Sequence, residues 1–328
     1  MGRSRPGSTR TGRERVRPVL IVERLDGSEQ MEVRDLTPSE FQTYQASHAK
    51  LKEFELSLKV IDIPRRNFNE LTRCLDGIDS DRNDKISGLN VSSKEWMEEA
   101  AQDLNTRMIN YLTSFRLYLD HKHARLVREY GKDSHQVQHF SSWTSLAFDN
   151  EFAYRFIYKL RNYVQHVGMP VGDLVVHGKA NPPGSGNIDY SVDFSLRPHR
   201  LLAEYDSWGK VKHDLVGMNG NIDVRQVVRT SYAALRQIEE QTVVAEAKPL
   251  HDAGNALMNV ISDAFMDGWM PSVAEIQEKG KTTKGLRRYS MSRWILPMDV
   301  LTALGFVSID GDTISYTYYE VEDPPGPA

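Results

Sequence analysis

The stretch from Ser92 to Gly131 leaves this chain the least freedom. Ser92-Ser93-Lys94-Glu95 is a capping box, and after it Met97, Ala101, Leu104, Met108, Leu112, Phe115 and Leu119 recur at intervals of three and four residues. That spacing predicts one helix of more than thirty residues, reaching Tyr130-Gly131, with a single apolar stripe. A stripe of that length gains its stability by being covered, so other helices have to lie along it.

Further segments offer themselves as partners. A second long helix is expected from about Gln136 or Ser145 to Val167, and helical periodicity returns at Ile222 to Val244 and, after Pro249, at Leu250 to Phe265. The expected fold class is therefore mainly α, an antiparallel bundle over residues 91–270 with its helices in two antiparallel pairs. Between the helices the pattern changes to alternation at Leu174-Val175-Val176-His177 and again from Ile188 to Leu196, around a Pro- and Gly-rich turn. This predicts a β-hairpin inserted at 171–197.

Small α+β segments are expected at both ends. Residues 1–17 carry arginine at positions 3, 5, 10, 13, 15 and 17 among Gly, Ser, Thr and Pro, the composition of a disordered basic tail with weak attraction for nucleic-acid phosphates. An N-terminal segment, 18–90, opens with a hairpin from Val19 to Arg34 that turns at Asp26-Gly27. Thr37-Pro38-Ser39-Glu40 is a second capping box and starts a helix expected to end at Pro64. A polar loop is expected from Asp76 to Asn90. Its Asp79-Ser80-Asp81-Arg82-Asn83 opens like a calcium loop, but Asp84 replaces the turn glycine and Asn90 the bidentate glutamate, so no calcium site is expected. Residues 271–328 form a short module: a basic run over 279–293, a helix around Met298 to Leu304, and a hairpin from Phe306 to Tyr319.

Composition removes several functional classes. The net charge is −4, so no global field draws the chain to polyanions and any such site is a local patch. The single cysteine, Cys74, allows neither an intramolecular disulfide nor a cysteine-cluster metal site. No apolar run has membrane-spanning length and the N-terminus lacks a signal-peptide core, so a cytoplasmic protein without a membrane partner is expected. His121-Lys122-His123 is the one close histidine pair, and its i,i+2 spacing splays the rings on a helix. Neither a P-loop nor a nucleophile elbow is present. No metal or cofactor is expected.

The chemistry-bearing feature lies near the end of the second long helix, at Tyr158-Lys159-Leu160-Arg161-Asn162-Tyr163-Val164-Gln165-His166. On a helical wheel Phe152, Phe156, Leu160, Tyr163 and Val167 share a narrow arc, extended by Ala153, Ile157 and Val164. Arg155, Tyr158, Arg161, Asn162, Gln165 and His166 take the opposite arc, facing away from the core. Other Arg–His pairs at similar spacing exist: Arg116 with His121 or His123, and Arg128 with His135. They are followed by Leu117 and Glu129 in place of a small polar residue, and His121 and His123, with Lys122 and Arg125, read as a solvated face.

The R-N-x-x-x-H spacing at Arg161, Asn162 and His166 resembles the active-site signature of the HEPN superfamily, small helical proteins many of which are metal-independent ribonucleases. The resemblance covers residues of about 91–265. It implies an endoribonuclease that cleaves by transesterification to a 2′,3′-cyclic phosphate and a 5′-hydroxyl, acting as a toxin or antiphage effector, with an antitoxin or defence-system partner. His166 would serve as the base toward the ribose 2′-hydroxyl, since imidazole titrates near about pH 6.5. Arg161 would hold the phosphate as it becomes pentavalent, and Asn162 would orient the histidine or bind a phosphate oxygen. Tyr158 and Arg155 are accessory candidates.

Five residues along a helix separate Arg161 and His166 by about 140° and roughly 7–8 Å of rise, so one copy brackets a site poorly. The resemblance implies a two-fold homodimer that brings two copies together. Lys281, Lys284, Arg287 and Arg288, with Tyr289 and Trp294 just beyond them, are expected to contact RNA by charge and stacking. Two other classes fit the same residues: a non-catalytic helical dimerisation module, and a nucleic-acid-binding regulator using the C-terminal helix and hairpin.

Overall fold

The computed structural model describes residues 16–86, 94–169, 174–180, 188–281, 287–310 and 313–316. The chain is mainly helical and divides into two units, 1–56 with 247–328, and 57–246. The divisions fall inside two long helices, α1 (Pro38–Ile86) and α7 (Val224–Ile261), each of which keeps going through an internal proline, Pro64 and Pro249. Sequence alone predicts a helix break at each of these prolines. One proline removes one ladder bond and bends a helix, and in both places the helix continues. The backbone of Asp76–Ile86, expected as a polar loop, is likewise part of α1, while residues 87–90 lie outside the described residues.

The helical unit holds α2 (Lys94–Tyr130), α3 (His135–Asn150), α4 (Phe152–His166), α5 (Pro198–Glu204) and α6 (Val211–Gly217), with the second part of α1 and most of α7. The α2 stripe is buried as its spacing requires: Leu104, Met108, Tyr111, Leu112, Phe115 and Leu119 share one core with Leu71 and Leu75 of α1 and Val228, Leu235 and Ile238 of α7. The second long helix is two helices. Glu151 has extended backbone (φ −102°, ψ 106°), and its N–H donates to Ala147 O and closes α3. Strands β3 (Leu174–Ala180) and β4 (Ile188–Leu196) form the inserted antiparallel hairpin, and β4 also pairs with β5 (Ile222–Asp223), which had been read as helix. The hairpin's turn, 181–187, lies outside the described residues.

The other unit joins the two ends of the chain. Strands β1 (Val16–Arg24), β2 (Gln30–Asp35), β6 (Trp269–Lys281) and β7 (Arg287–Trp294) make one antiparallel sheet in the order β2-β1-β6-β7. The segments read separately as 18–90 and 271–328 thus share a sheet, with Val19 opposite Ala274 and Ile21 opposite Ser272. The basic run extends along β6 and β7. Helix α8 (Met298–Ala303) and the strands β8 (Val307–Asp310) and β9 (Thr313–Tyr316) follow as expected, while residues 311–312 and 317–319 of the expected hairpin lie outside the described residues.

The first turn of α1 is held by a reciprocal capping box. Glu40 N–H donates to Thr37 Oγ1 at 3.2 Å, and Thr37 N–H donates to Glu40 Oε2 at 2.7 Å. Tyr44 and His48, one and two turns on, bond the carbonyls of Trp294 and Ile295 at 3.1 and 2.6 Å.

Candidate functional site

Helix α4 is anchored through its aromatic face. Phe156 stacks on Trp208 (5.9 Å between centroids, 9° between planes), and Tyr163 stacks on the same indole (5.8 Å, 22°). Trp208 is fully buried and its indole N–H donates to Leu201 O at 3.0 Å. Burial, and then a hydrogen bond to Glu204, push the Tyr163 phenol up to about 12. The predicted apolar arc is thus the buried one at Ala153, Phe156, Ile157, Leu160 and Tyr163. Val167 departs from it: it follows the last helical turn and is exposed.

The polar arc is graded from buried to open. Arg155 is 9% exposed and consumed: Nε and Nη2 donate to Asp214 of α6, both at 2.7 Å, and Nη1 donates to Asp149 O at 3.3 Å. The wheel put Arg155 outward, but this bidentate pair ties α4 to α6 and to the end of α3. Tyr158 is half-buried, with the Arg116 guanidinium 4.5 Å above its ring and Phe148 edge-on at 5.8 Å. Arg161 and Asn162 are half-buried, and Gln165 and His166 are exposed on the last turn.

Arg161 differs from the other arginines of this region. Its Nε is buried with no acceptor, and it makes no hydrogen bond or ion pair among the described residues. Arg125 and Arg225 also bury an unpartnered Nε, but Arg125 pairs with Glu246 and Arg225 donates to Leu75 O at 2.8 Å. Arg116 is paired with Asp120 at 2.9 Å. A buried guanidinium Nε–H without an acceptor is one donor still to be filled.

Of the expected RNA-contact residues, Arg287 and Arg288 are exposed on β7 beside exposed Tyr289. Glu278 lies 3.6 Å from Arg287. Lys281 ends β6 with its side chain outside the described residues, and Lys284 lies outside them altogether. Among the described residues no group of three or more His, Cys, Asp or Glu side chains gathers as it would to hold a metal ion.

Two features are not legible in the sequence. Lys122 and Arg125, whose charge predicts a solvated face, are buried in a network with Glu239 and Glu246 of α7. Lys122 Nζ lies 3.1 Å from Glu239 and 3.5 Å from Glu246, Arg125 pairs with Glu246, and Tyr130 Oη donates to Glu246 at 3.1 Å. Tyr118 donates to Glu239, and its phenol is pushed well above its ordinary range by burial first and by that carboxylate second. The second feature is a cleft of about 550 Å³ between α2, α3 and α4, lined by Arg116, His123, Ser145, Phe148, Tyr158 and Lys159 among others. It contains one of the rival Arg–His pairs.

No protein-family model matches the chain, and no match to it is found among the curated proteins or the solved structures.

Proposed function

We propose that this protein is a HEPN-type, metal-independent endoribonuclease, with Arg161 and His166 as its reacting pair, acting as a toxin or antiphage effector. The observation that carries this reading is Arg161, a half-buried guanidinium with a desolvated, acceptor-free Nε, five residues from an exposed imidazole at a helix end. Charged donors in a partly desolvated setting bind phosphate more strongly than solvated ones. In the proposed reaction His166 takes the proton of a ribose 2′-hydroxyl. The 2′-oxygen attacks phosphorus, the P–O5′ bond breaks, and the departing 5′-oxygen receives a proton. Arg161 donates to the non-bridging oxygens as negative charge grows there. Asn162 orients the imidazole or holds a phosphate oxygen. Arg155, paired to Asp214, is a positioning residue that fixes the helix.

A second copy of the chain completes the site in this reading, because one helix spreads the two groups too far apart to enclose a phosphodiester. Val167 and Met169, exposed beside His166, give that helix end an apolar rim suited to a partner surface. Arg287, Arg288 and Tyr289 extend RNA contact by charge and stacking.

The test is cleavage of single-stranded RNA in EDTA. Wild type is expected to leave 2′,3′-cyclic phosphate ends, and Arg161→Ala and His166→Ala are each expected to reduce the rate at least about 100-fold with an unchanged melting temperature. Undiminished cleavage by both variants would overturn the assignment.

A further inference from the structure

We infer that His135 and His139, one turn apart at the start of α3, chelate a divalent transition-metal ion of the copper(II), nickel(II) and zinc(II) class. His135-Gln136-Val137-Gln138-His139 spaces the two rings at i and i+4. The pair is wider in sequence than His121 and His123, but it falls on one helix face, with about 6 Å of rise between the two residues. That is the spacing by which helical histidines ligate zinc. An imidazole nitrogen binds zinc at about 2.0–2.1 Å, so two rings on one tetrahedral ion have centroids about 5 Å apart. The His135 and His139 centroids are 5.5 Å apart, with 39° between the ring planes.

Each ring has a lone pair to give. His135 is exposed and makes no hydrogen bond or ion pair among the described residues. His139 is half-buried, and its Nε2 accepts a long bond, 3.4 Å, from the Trp143 indole N–H. That bond puts the lone pair on Nε2 and the proton on Nδ1, the tautomer that ligates through Nε2. Nδ1 is buried without an acceptor, so the indole contact is the one hydrogen bond that an ion displaces. Burial, and then the neighbouring His135, hold the His139 imidazole below its ordinary titration range, which favours the neutral ring a metal needs. Among the described residues no third His, Cys, Asp or Glu joins the pair, so the remaining coordination positions fall to water or to a donor from another molecule. Imidazole ligands without a carboxylate select against magnesium and calcium, which take oxygen.

The ion takes no part in the cleavage proposed for Arg161 and His166 on α4, which is read in EDTA, so metal binding by α3 stands or falls without it. Calorimetric titration of the full chain with zinc(II), and electron paramagnetic resonance of the chain loaded with one equivalent of copper(II), test it. Wild type is expected to bind zinc(II) far more tightly than magnesium(II), and its copper spectrum to show coupling to two imidazole nitrogens. His135→Gln, at an exposed position, and His139→Gln are each expected to weaken zinc binding at least about tenfold. Each should also reduce the copper coupling to a single imidazole, while melting as wild type does in EDTA. Zinc binding by the double variant His135→Gln/His139→Gln equal to that of wild type would overturn the assignment, as would a wild-type copper spectrum without two imidazoles.

Discussion

Gly254, in the part of α7 that belongs to the two-ended unit, shows how tightly single positions are specified. A Cβ there would lie 2.7 Å from Cζ and 2.8 Å from Cδ2 of Phe306, whose ring is fully buried. Alanine is the better helix former by about 1 kcal/mol, but the clash outweighs that gain. Gly254→Ala is expected to destabilise its unit by about 1–3 kcal/mol, read as a lower urea midpoint, and Phe306→Leu in the same chain to restore part of it. Arg155 is specified as closely. Asp214→Ala would strand its guanidinium in a site 9% exposed, and a loss of about 2–4 kcal/mol is expected. The double change Arg155→Met/Asp214→Leu should recover most of it, because an apolar pair of similar size carries no desolvation cost. Neither residue's role could be read locally. A wheel separates polar from apolar side chains, but it does not separate a solvated arginine from one whose carboxylate lies 59 residues away. The same blindness made Lys122 and Arg125 look like surface, with their partners on a helix more than a hundred residues downstream.

Elements whose signals are local were legible. The Thr37–Glu40 box starts α1, the α2 stripe is buried, and the inserted hairpin is antiparallel at the expected strands. Elements decided by distant partners were not. Ile222–Asp223 is drawn into a strand by β4, and the Glu- and Lys-bearing β6 is a strand because β1 lies beside it. The box also carries a pH dependence. A hydrogen bond from Arg34, followed by those from Thr37, lowers the Glu40 carboxyl to about 2 from 4.5. A depressed carboxyl adds stability above its unfolded value and loses it as the pH falls through the folded one. The contribution should therefore be complete above about pH 4.5 and gone near pH 2. Glu40→Gln should be less stable than wild type at neutral pH, with the two curves converging in acid. Parallel curves down to pH 2 would show that the carboxylate contributes nothing.

At the scale of the whole molecule, the proposed chemistry sets the assembly. Light scattering at micromolar concentration is expected to give about twice the chain mass of 37.4 kDa. Gln165→Arg with Val167→Asp, at the exposed end of α4, should return a folded monomer that no longer cuts RNA. A wild-type monomer with full activity would remove the need for a second copy. That the chain is mainly helical, around a long α2, was legible from periodicity alone. How it divides was not, because no local signal marks a sheet whose strands come from opposite ends of the sequence.

That sheet bears on how the protein is made. During vectorial synthesis β1 and β2 leave the ribosome before the helices, but β1's other neighbour, β6, is translated more than two hundred residues later. The intervening helices emerge in between as one continuous stretch, 57–246, with the long α2 core already inside it. They can condense while the early hairpin waits with an open edge, the state in which nascent chains are most prone to mispair. Closure of the sheet thereby waits on synthesis of β6, so products truncated before it would carry a folded bundle and an unfinished, chaperone-dependent sheet.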